Sequence, residues 1–301
     1  MRCKRRVIVY FPIINNFFKN FIFYKINIFI INHFSTFSII FKFSNFVEAI
    51  IEHFFHNLTG SNVAPFINNH SKRLTEAELK LLRENIFYYQ ALVPKAKRIF
   101  ENRVVNFMHS IEISGRQDFE VTRDMELLIS ATAVQLTFGW RKYYLSMFKR
   151  IFVFPTAYYN RFTKNYHKGE TSPQGVVVLS WDSFEKGHSI TDDNLNLGIH
   201  EFAHALIIQR NKSPEYSDPI FMRWVDKLSK MLENPRVFKI LSEHAYFREY
   251  ARANEMEFFA VATEAFFETP GEFKNALPNL YELMCKMYNQ NPLRLYQSSS
   301  L

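Results

Sequence analysis

Residues 75–91 (TEAELKLLRENIFYYQA) set Leu79, Leu82, Ile86 and Tyr89 at three- and four-residue spacing, an apolar stripe that predicts a surface helix. Thr75 stands at its head with Glu78 three positions on, the spacing of a capping box. Residues 122–138 (TRDMELLISATAVQLTF) are apolar nearly all round and end at Gly139, which predicts a central helix. The period then shortens. RIFVF at 150–154 stops at Pro155, and GVVVLSW at 175–181 follows a loop with Pro and Gly; both read as strands. Helices are expected again near 194–210, 218–233, 254–267 and 271–289, separated by turns rich in Pro and Asn. Helices, a small sheet, then helices make an α+β domain that is mostly helical, and no internal repeat is present.

The first 56 residues follow neither period. They hold 13 of the 33 phenylalanines and 12 isoleucines, with no leucine and no glycine. Their two uncharged stretches, 7–18 and 26–41, are shorter than the roughly 20 apolar residues of a spanning helix. Asn27, Asn32, His33, Ser35 and Ser38 dilute the second. Lys4, Arg5 and Arg6 before an apolar run imitate a signal peptide, yet no small-x-small cleavage site follows. Three readings stay open: a membrane-surface anchor, a poorly ordered aromatic arm, or translated sequence upstream of the true start. No functional residue is expected there. The expected organisation is therefore 1–56 as a separate segment, 57–292 as the globular domain and 293–301 as a tail. The location is expected to be cytoplasmic, with any membrane contact confined to 1–56.

Composition narrows the chemistry. The net charge is +8, but 1–56 carry seven basic residues against Glu48 and Glu52, or +5, which leaves 30 minus 27, or +3, for the rest. Without a basic run interleaved with aromatics, that balance argues against direct nucleic-acid binding. Eight glycines, none closer than Gly169 and Gly175, exclude GxGxxG and Walker-type phosphate loops, and no GxSxG elbow occurs. Cys3 and Cys285 cannot make a disulfide framework or a four-cysteine zinc knot, and they suit a reducing compartment.

What remains is NLNLGIHEFAHALII at 194–208, in which His200, Glu201 and His204 spell HExxH. Residues four apart share a helix face, so two imidazoles can reach one tetrahedral ion. Glu201 sits one residue round, where a carboxylate can serve as general base without ligating. The competing reading is a buried helix with two satisfied histidines. A third ligand is needed. The metzincin pattern would require Gly at 207 and His at 210, but Ile207 and Arg210 stand there. A glutamate from a later helix is the other common solution, and YARANEMEFFAVATEAFFE at 250–268 offers Glu257 and Glu264 on one face. Glu257 also has a plainer reading, because Asn254 is a good N-cap and position 257 is its N3. His188 and His244 lie outside the motif and read as packing or surface residues.

VVVLSWDS at 176–183, HEFAH at 200–204 and the pattern Y-x6-E-x-F-A-x-x-x-E-x-F-F-x-x-P from Tyr250 to Pro270 resemble the Mlc titration factor A family of zinc-dependent peptidases. The resemblance covers about residues 72–292, including VFPTAYY at 153–159. It implies a zincin-type, gluzincin metallopeptidase with Zn2+ on His200, His204 and Glu257, Glu201 as base, and Tyr250 as donor to the developing oxyanion. It implies aminopeptidase-like hydrolysis. A peptide substrate is expected to lie antiparallel along the edge of the strand at 175–181, through backbone hydrogen bonds. The family takes its name from sequestering a transcriptional repressor, so the alternative implied function is a regulatory binding protein with little turnover. Asn196 matches the family in a structural role. One departure stands out: the family continues with Asp where this chain has Ile207, removing one candidate acceptor for a histidine N–H, a place that Glu264 could fill.

Overall fold

Thr75 caps the first helix, α1 (Glu76–Asn85), through a complete capping box with Glu78. In the computed structural model, residues 73–299 are described, apart from residues 162 and 191. The segment 1–56 and its three readings, together with 57–72, lie outside the described residues. The helix expected over 75–91 breaks at Ile86, whose extended backbone separates α1 from α2 (Phe87–Ala91). Ile86, Tyr88, Tyr89 and Ala91 are all buried around this break. A further helix, α3 (Pro94–Ser110), begins on Pro94 and buries Phe100, Val104 and Phe107. Pro at N1 and this i, i+4, i+7 spacing are the sequence signals of this helix, which is additional to those expected.

Strand β1 (Glu112–Gly115) leads to α4 (Arg123–Thr137), capped by Thr122 and buried continuously from Leu127 to Thr137, as its all-round apolar pattern predicts. The sheet follows: β2 (Arg150–Phe154), the hairpin β3 (Tyr158–Asn160) and β4 (Asn165–His167), then β5 (Gly169–Ser172) and β6 (Val176–Ser180). Both expected strands are present as β2 and β6. The four-stranded sheet runs β1-β2-β6-β5, with β1, β2 and β6 parallel and β5 antiparallel to β6. β6 is therefore paired on both sides, and the expectation that a peptide would lie along residues 175–181 is corrected: the edges of the sheet are β1 and β5, and β5 is the one next to β6. Val177 and Leu179, wholly buried, point with Gly169 and Thr171 to one face, since alternate residues of paired strands share a side.

Helix α5 (Trp181–Ser189) returns to α6 (Leu197–Lys212), capped by the Asn196 side chain and buried from Gly198 to Leu206. A Cβ at Gly198 would come within 2.6 Å of the Phe184 ring, so glycine lets α6 lie tight against α5. After a short 3-10 turn come α7 (Pro219–Leu232), α8 (Pro235–Ser242), a 3-10 strap over Glu249–Arg252, and α9 (Glu255–Glu268). α9 packs along α6 through its buried run Phe258–Phe267. The helix expected over 271–289 is two, α10 (Pro270–Ala276) and α11 (Pro278–Tyr288), because Pro278 cannot donate and forces Leu277 out of helical geometry. The expected boundary before residue 293 falls inside α12 (Pro292–Ser299), whose Tyr296 hydroxyl donates to the Phe267 carbonyl. Twelve helices and a small mixed sheet among the described residues make the domain α+β. No helix among the described residues is long and apolar enough to cross a membrane.

Candidate metal centre

Helix α6 carries His200 and His204 on one face, and their rings meet edge to face at 4.6 Å between centroids. Helix α9 delivers Glu257 to the same point. His200 Nε2 lies 3.1 Å from Glu257 Oε2, His204 Nε2 lies 3.3 Å from it, and the two Nε2 atoms are 3.1 Å apart. The plainer reading of Glu257 as a cap fails on its side chain. Asn254 Oδ1 caps α9 by accepting from the backbone N–H groups of Met256 and Glu257, while the Glu257 carboxylate turns to the imidazoles.

Three lone-pair donors at such spacing repel unless positive charge stands among them. His200 Nδ1 donates to Glu264 Oε1 at 2.7 Å, so its proton sits on the outer nitrogen in the neutral ring and Nε2 faces inward as a lone pair. Burial opposes charging of His200, yet the hydrogen bonds its ring makes to the Glu257 and Glu264 carboxylates raise its pKa to about 9. Burial likewise works against an ionised Glu257, but the two histidines hold its carboxyl far below the usual range. Both shifts have one cause, the close approach of the carboxylate to the two imidazoles. His200, His204 and Glu257 could thus hold a metal ion.

The remaining residues surround this triangle. Glu201, 4% exposed, has its pKa raised by burial, an effect that His200 and His204 oppose. Its Oε2 accepts from the Thr171 hydroxyl on β5 at 2.8 Å. A Cβ on Gly169 would sit 2.5 Å from Glu201 Oε1, so glycine lets the edge strand lie directly against this carboxylate. Tyr250, on the strap, is 52% exposed and its ring lies 5.9 Å from that of His200. Burial and then the neighbouring Glu257 carboxylate push its phenol up.

Glu264 does not join the triangle; it supports it. Arg248 grips both its oxygens, Nη2 to Oε1 at 2.6 Å and Nη1 to Oε2 at 3.0 Å, and the Asn196 backbone N–H donates to Oε2. Asn196 also accepts from Ile199 N and donates to Gly187 O and Glu268 Oε1, so its structural role is to tie the start of α6 to α5 and α9. His204 has no such support: its Nδ1 is buried without a hydrogen-bond partner, and Ile207 one turn on is apolar and half-buried. His188 is a packing residue, stacked on Phe184 and bonded to Thr132. Thr171, Gly169 and Arg248 were not found from the sequence. Nothing in their spacing marks them, because their partners lie on other elements.

The family model of the glucose-regulated metallo-peptidase M90 matches residues 66–289. Mlc titration factor A from Yersinia pestis (strain Pestoides F) is 31% identical over 131 residues, 42% of this chain and 48% of that protein. Mlc titration factor A from Yersinia pseudotuberculosis serotype O:1b (strain IP 31758) matches to the same extent. The chain thus spans about half the length of these curated relatives. With the model covering most of the chain and its matched span containing the whole HExxH helix and the strap-to-α9 segment, this chain belongs to the glucose-regulated metallo-peptidase M90 family, the family of Mlc titration factor A.

Proposed function

We propose that the chain is a zinc-dependent peptidase of the gluzincin type, with His200, His204 and Glu257 as zinc ligands, Glu201 as general base and Tyr250 as oxyanion donor. The observation that carries this reading is the convergence of two Nε2 atoms and one carboxylate oxygen within 3.3 Å of one another. Zinc, when bound, polarises a carbonyl and makes water more acidic. The chain's own groups do the rest. Glu201 takes the proton of the attacking water and delivers it to the leaving amine, and its burial keeps its basicity above that of an ordinary carboxylate. Thr171 holds the carboxylate in place, and the Tyr250 phenol donates to the oxygen on which negative charge develops. The substrate backbone pairs with the edge strand β5, whose Gly169 and Thr171 lie against the Glu201 side chain, so the scissile bond is held beside that carboxylate. Aminopeptidase-like action on short peptides belongs to this reading.

Glu201→Gln is expected to keep zinc and to lose hydrolysis of short peptide anilides by about 100-fold or more. Turnover that persists in this variant, or in chelator-cleared protein, overturns the reading. The relatives' name, Mlc titration factor A, motivates a second one, in which the chain sequesters a transcriptional repressor without turnover. Saturable binding of the repressor that survives Glu201→Gln separates the two. A cytoplasmic location accompanies both.

A further inference from the structure

We infer that Arg248 is a positioning residue for the metal centre, fixing the imidazole of His200 by way of Glu264. This rests on the zinc reading above. Glu264 is 1% exposed, and each of its oxygens receives two donors. Oε1 takes His200 Nδ1 and Arg248 Nη2; Oε2 takes the Asn196 backbone N–H and Arg248 Nη1. A carboxylate gripped on both oxygens by one planar guanidinium cannot rotate, so the His200 ring that donates to it is held at one angle. Arg248 Nη1 also donates to the Asn194 carbonyl, which ties the grip to the turn preceding α6. Arg248 stands two residues before Tyr250, so the same side chain anchors the strap that carries the phenol.

The two histidines are supported unequally. His204 offers a buried Nδ1 with no partner, whereas His200 has the full chain of Glu264 and Arg248 behind it. Outer partners of ligating histidines typically change metal affinity by roughly 10- to 100-fold. With one histidine unsupported, that contribution falls on Arg248 and Glu264. Lysine in place of Arg248 could satisfy one oxygen of Glu264 but not both.

The test uses the full-length chain, with zinc affinity measured by competition against a chromophoric chelator and the Nδ1 proton of His200 followed by NMR in histidine-labelled protein. Arg248→Met is expected to weaken zinc binding by about 10-fold or more and to shift or broaden that proton resonance. Arg248→Lys is expected to recover part of the affinity. In a Glu264→Gln background, Arg248→Met is expected to have a much smaller effect, because Arg248 acts chiefly through Glu264, its own approach to His200 Nδ1 being a longer 3.4 Å. Wild-type zinc affinity in Arg248→Met with an unmoved resonance overturns the inference, as does an undiminished loss in the Glu264→Gln background. A wild-type chain that takes up no zinc contradicts the zinc reading, and this inference falls with it; the wild-type titration alone distinguishes that failure from the others.

Discussion

The Thr171 hydroxyl lies 2.9 Å from the backbone carbonyl of Glu201 and 2.8 Å from its carboxylate, so the edge strand and the HExxH helix are joined at the proposed base itself. A hydrogen bond to an ionised group contributes about 1.5–3 kcal/mol, and each 1.4 kcal/mol is about a tenfold change in rate. Thr171→Val is therefore expected to lower kcat by about tenfold or more with zinc content unchanged, and Thr171→Ser to restore most of it. Steady-state kinetics alongside metal analysis checks this; equal rates for the Val and Ser variants would count against the role.

Gly169 faces the same carboxylate from the strand. An added methyl would meet Glu201 Oε1 at 2.5 Å and Leu197 Cδ1 at 2.7 Å. Gly169→Ala is expected to displace Glu201 and to abolish most hydrolysis while the zinc stoichiometry stays at the wild-type level. A fully active alanine variant would show that the strand can retreat.

Tyr250 tests the oxyanion role separately from folding. Its side chain is half exposed, so Tyr250→Phe is expected to leave thermal stability nearly unchanged. Loss of one oxyanion donor costs about 100- to 1,000-fold in kcat, and a drop of that order is expected. A kcat within a factor of about two of wild type would remove Tyr250 from the chemistry.

Glu268 gives a pH signature outside the triangle. Its Oε2 is buried without a partner, and burial, together with the charges of Glu264 and Asp193, raises its pKa from 4.5 to about 8. The folded value exceeds the unfolded one, so the neutral carboxyl is favoured by folding. That contribution is fully present below about pH 4.5 and is lost as pH rises through about 8. Glu268→Gln is expected to flatten the decline in melting temperature between those limits. Parallel pH profiles for the two proteins would contradict the assignment.

The helical half of the centre was legible in the sequence because its geometry is local. The four-residue spacing of His200 and His204 fixes a shared face wherever the helix packs. Glu257 was ambiguous for the same reason: position N3 after Asn254 satisfies a capping rule and a ligand rule alike. Packing of α9 against α6 separates the two, because Asn254 closes the cap alone and frees the carboxylate. The resemblance pointed to Glu257 before packing was known. Thr171, Gly169 and Arg248 act across the chain, and their roles depend on which strand lies at the sheet's edge and on an irregular strap. Hydrophobic runs at 150–154 and 175–181 mark strands but not their order, and the order places β6 inside the sheet and not at its edge. The breaks at Ile86 and Leu277 differ in kind. Pro278 signals the second, whereas no residue at Ile86 signals the first.

The most direct measurement is the metal content of purified wild-type chain and of Glu257→Ala, by elemental analysis after desalting. Stoichiometric zinc in the wild type and little or none in the variant is the expected result. Equal zinc in both, or none in the wild type, would contradict a metal held between His200, His204 and Glu257.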